Sequence, residues 1–140
     1  MTDVTSGATG RTGWTIGLWA AQILLAAFYF YAGFNKVSQP VEALGAMGMG
    51  FALFVPELLT RFIGAAELLG AIGLILPAAT RIMPRLTSLA ALGLSTIQVL
   101  AILLHASRGE FAVLPLNAVL LALSLFVLWG RERKAPIDAR

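Results

Sequence analysis

Residues 61–77 read RFIGAAELLGAIGLILP, and this stretch decides the fold. Between Arg61 and Pro77 the one charged side chain is Glu67; every other residue is apolar or glycine. Taken back to Pro56, the run covers about 33 Å as a helix, against a hydrocarbon core of ~30 Å. Thr60, Gly64, Gly70 and Ala71 share the side of the helix that carries Glu67. A carboxylic acid in the middle of such a run is expensive in lipid. It belongs on a membrane-spanning helix that turns that side towards other helices, which the small residues allow to approach closely.

Three further runs have the same character. The first extends over about 14–35, the third over 85–105 and the fourth over 114–130, the last being the shortest. Pro56, Pro84 and Pro115 stand at or near the start of three of the four, where a missing N–H costs nothing and φ is already set. Residues 1–12 are small and polar and read as a disordered tail; residues 132–140 read as a basic tail. The first run is too long for a signal-peptide core and no early basic region precedes it, so it reads as a retained span. The connections 78–84 and 106–113 are short hairpins, which makes the helices antiparallel neighbours. The segment 41–55 is apolar for a loop but broken by Gly45, Gly48 and Gly50. It reads as an interfacial or re-entrant segment and not a fifth span. The expected fold is thus all-α: a single domain over 13–131, an up-down bundle of four transmembrane helices with one interfacial or re-entrant insert.

Composition agrees. The chain of 140 residues is 59% hydrophobic and only 12% charged, where a soluble domain carries about 25% charged residues. Its mean hydropathy is +0.86. It has no cysteine, which excludes disulfides, thiolate metal sites, iron–sulfur clusters and dithiol redox chemistry. A net charge of +3 does not mark a nucleic-acid binder, because the cations sit at the ends of apolar runs and form no stripe. They report topology instead. Seven of them, Arg11, Arg81, Arg85, Arg131, Arg133, Lys134 and Arg140, fall on the side of both termini, and three, Lys36, Arg61 and Arg108, on the other. Trp14, Trp19 and Trp129 fall near the first side, as one interfacial belt would. The positive-inside rule then puts both termini in the cytoplasm, in a bacterial inner membrane.

The polar residues inside the spans carry what functional signal there is. At 100° per residue, Tyr29, Gly33 and Lys36 lie within about 40° of the line of Gln22 on the first helix. Gln98 and His105 share a face of the third helix, and Asn117 and Ser124 a face of the fourth. Counted from the three-charge rim, Tyr29, Glu67 and Gln98 are each roughly 9–10 Å deep, and Asn117 lies nearer the surface with His105 and Lys36. The outer half of the bundle therefore gathers two polar layers, whereas the cytoplasmic half reads as apolar apart from Gln22 and Ser124. Tyr29, Lys36, Arg61, Glu67, Gln98, His105 and Asn117 are the candidate residues of a ligand pocket open to the outer interface. An ionised Glu67 needs a partner, and Lys36 or Arg61 is expected to supply it. No metal site is expected from one histidine, one span carboxylate and no cysteine. No nucleophile–base, phosphate-loop or metalloprotease motif is present, so no catalytic residue is named.

The 61–77 helix resembles the signature helix of the DoxX-like family of small four-helix membrane proteins. Gly33-Phe-Asn-Lys36, His105 with Arg108-Gly-Glu110, Asn117 and Gly130-Arg131 follow in the family's order, so the resemblance covers about 15–131. It implies Lys36, Arg61, Glu67, His105, Asn117 and Arg131 as family positions, the last at the cytoplasmic edge. Because the founding member accompanies a terminal quinol oxidase, it also implies an accessory subunit of a quinone-linked or redox membrane complex. In that reading quinone is the cofactor, a membrane oxidoreductase the partner, and Tyr29, Glu67, Gln98 and His105 meet the head group. The alternative is a non-enzymatic membrane scaffold or chaperone whose polar core is structural and whose segment 41–55 docks a client or closes the bundle. The bilayer is a partner under either reading, nucleic acid under neither, and a homo-oligomer is left open.

Overall fold

A computed structural model describes residues 3–140. Its elements are α1 (Asp3–Ser38), α2 (Val41–Ala46), a 3₁₀ turn (Gly50–Leu53), α3 (Glu57–Thr80), α4 (Arg85–Ser107), a second 3₁₀ turn (Phe111–Val113) and α5 (Leu114–Arg133). Among the described residues, four stretches are long and apolar enough to cross a membrane: Arg11–Ser38, Glu57–Thr80, Arg85–Ser107 and Phe111–Arg133. Each overruns the apolar boundaries expected from sequence. Apolar composition marks where lipid ends, but backbone hydrogen bonding continues past it. Helix α3 runs one turn beyond Pro77, and its last turn closes where Thr80 Oγ1 donates to the Leu76 carbonyl at 2.7 Å before Arg81 turns left-handed at φ 59°. Helix α1 already runs through residues 3–12, where a disordered tail is expected; Met1 and Thr2 lie outside the described residues.

The four long helices form a ring in which α1 packs on α3, α3 on α4, α4 on α5, and α5 back on α1, with the α1–α3 seam the most extensive. The pattern of burial is that of a protein dissolved in lipid. Leu24, Phe30, Leu58, Phe62, Leu69, Leu76, Leu100 and Leu103 are exposed, while Gln22, Thr60, Glu67, Gln98, Asn117 and Ser124 are buried. An apolar medium rewards no burial of leucine, so the polar groups take the interior. Between them Leu25, Tyr29, Ala71, Leu74, Ala91, Leu94, Leu120 and Val127 form the core.

The ends of the bundle differ. At the tail end, which carries both termini and the α3–α4 turn, the chain after α5 folds back over the helices and does not trail away. Ala135 is buried, Arg11 donates to the Pro136 carbonyl at 2.9 Å, Arg81 Nε to the Asp138 carbonyl at 2.8 Å, and the Arg140 amide to the Arg81 carbonyl at 3.0 Å. At the opposite, cap end the insert between α1 and α3 is one short helix and one 3₁₀ turn. Its Leu44, Phe51 and Ala52 are buried, so it lies against the protein as a cap.

The α1–α3 seam depends on two glycines. A Cβ at Gly33 would stand 2.7 Å from the Gly64 carbonyl oxygen and 3.0 Å from the Leu68 nitrogen, and one at Gly64 would stand 2.9 Å from the Gly33 carbonyl oxygen. These neighbours are backbone and cannot swing away, so a side chain at either place forces the helices apart. We expect Gly33→Ala and Gly64→Ala each to lower stability by about 1–3 kcal/mol, the usual overpacking cost. Gly93→Ala, where a Cβ would meet nothing within 4 Å, is expected to leave stability unchanged or raise it. Thermal unfolding in detergent, followed by circular dichroism, checks all three.

Candidate functional site

The glycine crossing places two charges. Glu67 is one turn along α3 from Gly64, and Lys36 one turn along α1 from Gly33. Because the helices are antiparallel, each charged residue roots on the other helix's glycine: a Cβ on Gly64 would fall 2.6 Å from the Lys36 Cβ, and one on Gly33 would fall 3.1 Å from the Glu67 Cβ. Lys36 Nζ and Glu67 Oε1 meet at 2.7 Å, with side chains only 12% and 3% exposed. The pair is largely buried, which makes its geometry strict. Of the two partners expected for Glu67, the structure selects Lys36. Arg61 instead donates through Nη1 to the Lys36 carbonyl at 2.8 Å and to the Gln39 carbonyl, and through Nη2 to Glu57 Oε1 at 2.8 Å. It closes the C-terminal carbonyls of α1, which otherwise have no helical partner, and lays its positive charge at the negative end of that helix.

One layer deeper, the Tyr29 phenol is fully buried and accepts from Gln98 Nε2 at 2.8 Å. The Ser124 hydroxyl, also buried, donates to the Leu120 carbonyl at 2.8 Å within its own helix. The Tyr29–Gln98 bond joins α1 to α4 across the bundle. Five buried polar atoms of this half have no hydrogen-bond partner within the protein: Thr60 Oγ1, Glu67 Oε2, Gln98 Oε1, Arg108 Nη1 and Asn117 Nδ2. Glu67 Oε2 and Gln98 Oε1 are acceptors, and Asn117 Nδ2 is a donor.

The cap closes this end. The Phe51 ring meets two of the candidates, with Lys36 Nζ 5.8 Å from its centroid and the His105 ring edge-on to it at 6.2 Å. His105 Nδ1 is 3.1 Å from Glu110 Oε1, which also lies 3.5 Å from Arg108 Nε, and the Arg108 guanidinium rests 4.1 Å over the Phe54 ring. The insert between α1 and α3 is in this way fastened to the α4–α5 connection. The seven candidate residues do gather at one end of the bundle. Lys36 with Glu67, and Tyr29 with Gln98, are joined directly, whereas Arg61 acts as a helix cap and His105 belongs to the cap's fastening. Tyr29, Glu67, Gln98 and Asn117 are buried at this end.

A second polar node lies at the tail end, in the half read from sequence as apolar apart from Gln22 and Ser124; Arg131 joins Gln22 there. Arg131 is only 5% exposed. It donates from Nε to Gln22 Oε1 at 2.7 Å and from Nη1 to the Ala135 carbonyl at 3.0 Å, while Gln22 Nε2 donates to the Leu74 carbonyl. The Trp19 ring lies 5.6 Å from its guanidinium. Gly130 makes the approach feasible, because a Cβ there would collide with the Leu18 side chain of α1. Arg131 stands in the last turn of α5, at the edge of the bundle, and its long side chain turns inward from there. Outside both nodes, an apolar groove of roughly 680 Å³ runs down the lipid face of the α1–α3 seam, between Ala26, Phe30, Phe34, Ile72 and Ile75.

Comparison with known proteins agrees with this architecture. The model of the DoxX-like family matches residues 20–127, a stretch that contains both helices of the glycine crossing, the Lys36–Glu67 pair, Tyr29, Gln98, His105 and Asn117; Arg131 lies beyond it. No curated protein and no solved structure matches the chain. Four membrane-spanning helices and a family match over most of their length carry the assignment: the chain belongs to the DoxX-like family.

Proposed function

We propose that this protein is a non-enzymatic membrane scaffold, a stiff four-helix body that packs against a partner inside the bilayer and whose polar core is structural. The observation that carries the reading is the Lys36–Glu67 pair, held at 2.7 Å by a backbone-to-backbone helix crossing and roofed by Phe51. A charge pair that is buried, rooted on glycines and covered is built to stay where it is. The apolar α1–α3 groove offers a place where a partner's helix or an isoprenoid tail could lie. Both termini stand on the cytoplasmic side of a bacterial inner membrane in this proposal, since Arg11, Arg81, Arg131, Arg133, Lys134 and Arg140 crowd the tail end.

One observation favours a second reading, an accessory subunit of a quinone-linked redox complex. Three of the polar atoms without a partner, Glu67 Oε2, Gln98 Oε1 and Asn117 Nδ2, are acceptors and a donor of the kind that quinol hydroxyls and a quinone carbonyl would use. A partner protein would supply the electrons, and the cap would have to move to admit the ring.

Two measurements separate these. If the pair is structural, Lys36→Met and Glu67→Leu alone each leave one charge stranded and cost about 3 kcal/mol, while the double variant recovers most of the loss; unfolding in detergent reads the cycle. Quinone extracted with the purified wild-type protein is expected at no more than its ratio to bulk membrane lipid. One quinone per chain, lost in Glu67→Gln and Asn117→Ala, would replace the scaffold reading with the second.

A further inference from the structure

We propose that the tail-end cleft between the start of α4 and the chain following α5 binds a phosphate ester group, of the kind a phospholipid head group presents. This site lies at the opposite end of the bundle from the polar layer and does not depend on the function proposed above. Arg85, Ser88, Arg131, Glu132, Pro136 and Ile137 line a cleft of roughly 200 Å³.

The case begins with Arg131. Arg131 is buried, and its hydrogen bonds go to an amide oxygen and a backbone carbonyl; no carboxylate among the described residues pairs with it. Nη2 has no hydrogen-bond partner within the protein. A buried cation without a counter-charge is heavily penalised, and an anion in the cleft that this residue lines would relieve it. Arg85 points to the same chemistry. It opens α4, whose first turn contains no acidic residue, and so adds positive charge to the positive end of a helix dipole. That arrangement is unfavourable by itself and becomes favourable around an anion. Ser88, one turn further and buried, supplies a hydroxyl.

Charge and position narrow the class. Two guanidiniums and the Glu132 carboxylate leave the cleft one net positive charge, which suits a phosphodiester monoanion better than a free phosphate dianion. Trp14 and Trp129 meet edge-on at 5.3 Å at this end, with Lys134 Nζ 5.7 Å and 5.3 Å from their rings. Such a cluster marks head-group depth, so the cleft stands where lipid phosphates are.

The test is native mass spectrometry of the full chain in detergent, titrated separately with dioleoyl phosphatidylglycerol, dioleoyl phosphatidylethanolamine and dioleoylglycerol, which lacks the phosphate, and then with inorganic phosphate as competitor. Both phospholipids are expected to be retained and the diacylglycerol lost. Arg85→Ala, at an exposed side chain, should weaken retention about tenfold, as removal of one charge-assisted contact does, and Ser88→Ala should weaken it less. Arg133→Ala, at the same end but outside the cleft, should change nothing. Inorganic phosphate bound through Arg85 in place of both lipids would uphold the phosphate chemistry and assign it to a free anion. Equal retention of dioleoylglycerol, or equal weakening by Arg85→Ala and Arg133→Ala, would overturn the proposal.

Discussion

The contact between the backbones of α1 and α3 at Gly33 and Gly64 is the constraint on which the rest of the cap end depends. Lipid gives no hydrophobic reason for two helices to associate, so what holds them is close packing and the polar contacts it permits. Only where neither helix has a side chain can the axes come close enough for a lysine and a glutamate, one turn away on either side, to share a proton-bearing contact at 2.7 Å. From that fixed pair the remaining geometry follows. Lys36 ends α1 at a height where Arg61 can close its carbonyls, and Phe51 of the cap finds both the ammonium and His105 within reach.

Polar residues hold the bundle at both ends, by different means. The cap end uses a matched ion pair and a hydrogen bond from Gln98 to Tyr29. The tail end uses an arginine bonded to neutral groups only, Gln22 Oε1 and the Ala135 carbonyl. The first is neutral as a unit and is compatible with a dry interior. The second keeps a formal positive charge at the bundle's rim, which is tolerable near an interface and would not be at the midplane.

Much of this was legible in the chain. Period and depth alone bring Tyr29, Lys36, Glu67 and Gln98 together, because a helix in lipid must turn its few polar groups inward and the 100° step says which share a side. Period is silent about side-chain reach, and reach is what was missed. Arg131 at the end of a span reads as an anchor in the head groups; its guanidinium turns back along α5 to Gln22. Arg61 was legible as a cation at the rim but not as a cap, since its acceptors are backbone carbonyls that carry no letter in a sequence. The cap itself was visible as an apolar insert, yet which ring would cover the ion pair depends on three-dimensional contacts among Phe51, Phe54, His105 and Arg108.

The fold-back of residues 135–140 has a consequence for how the molecule is assembled. Helices α1, α3 and α4 can settle against one another as they leave the insertion machinery in order. The ring closes only when α5 arrives, and its Arg131 must then find Gln22 on the first helix made. The strand of chain that bonds Arg11 and Arg81 through the Pro136 and Asp138 carbonyls follows later still. Elongation therefore delivers the latch after the parts it secures, and a protein interrupted before that moment would expose an unclosed seam between its oldest and youngest helices to the quality-control proteases of the membrane.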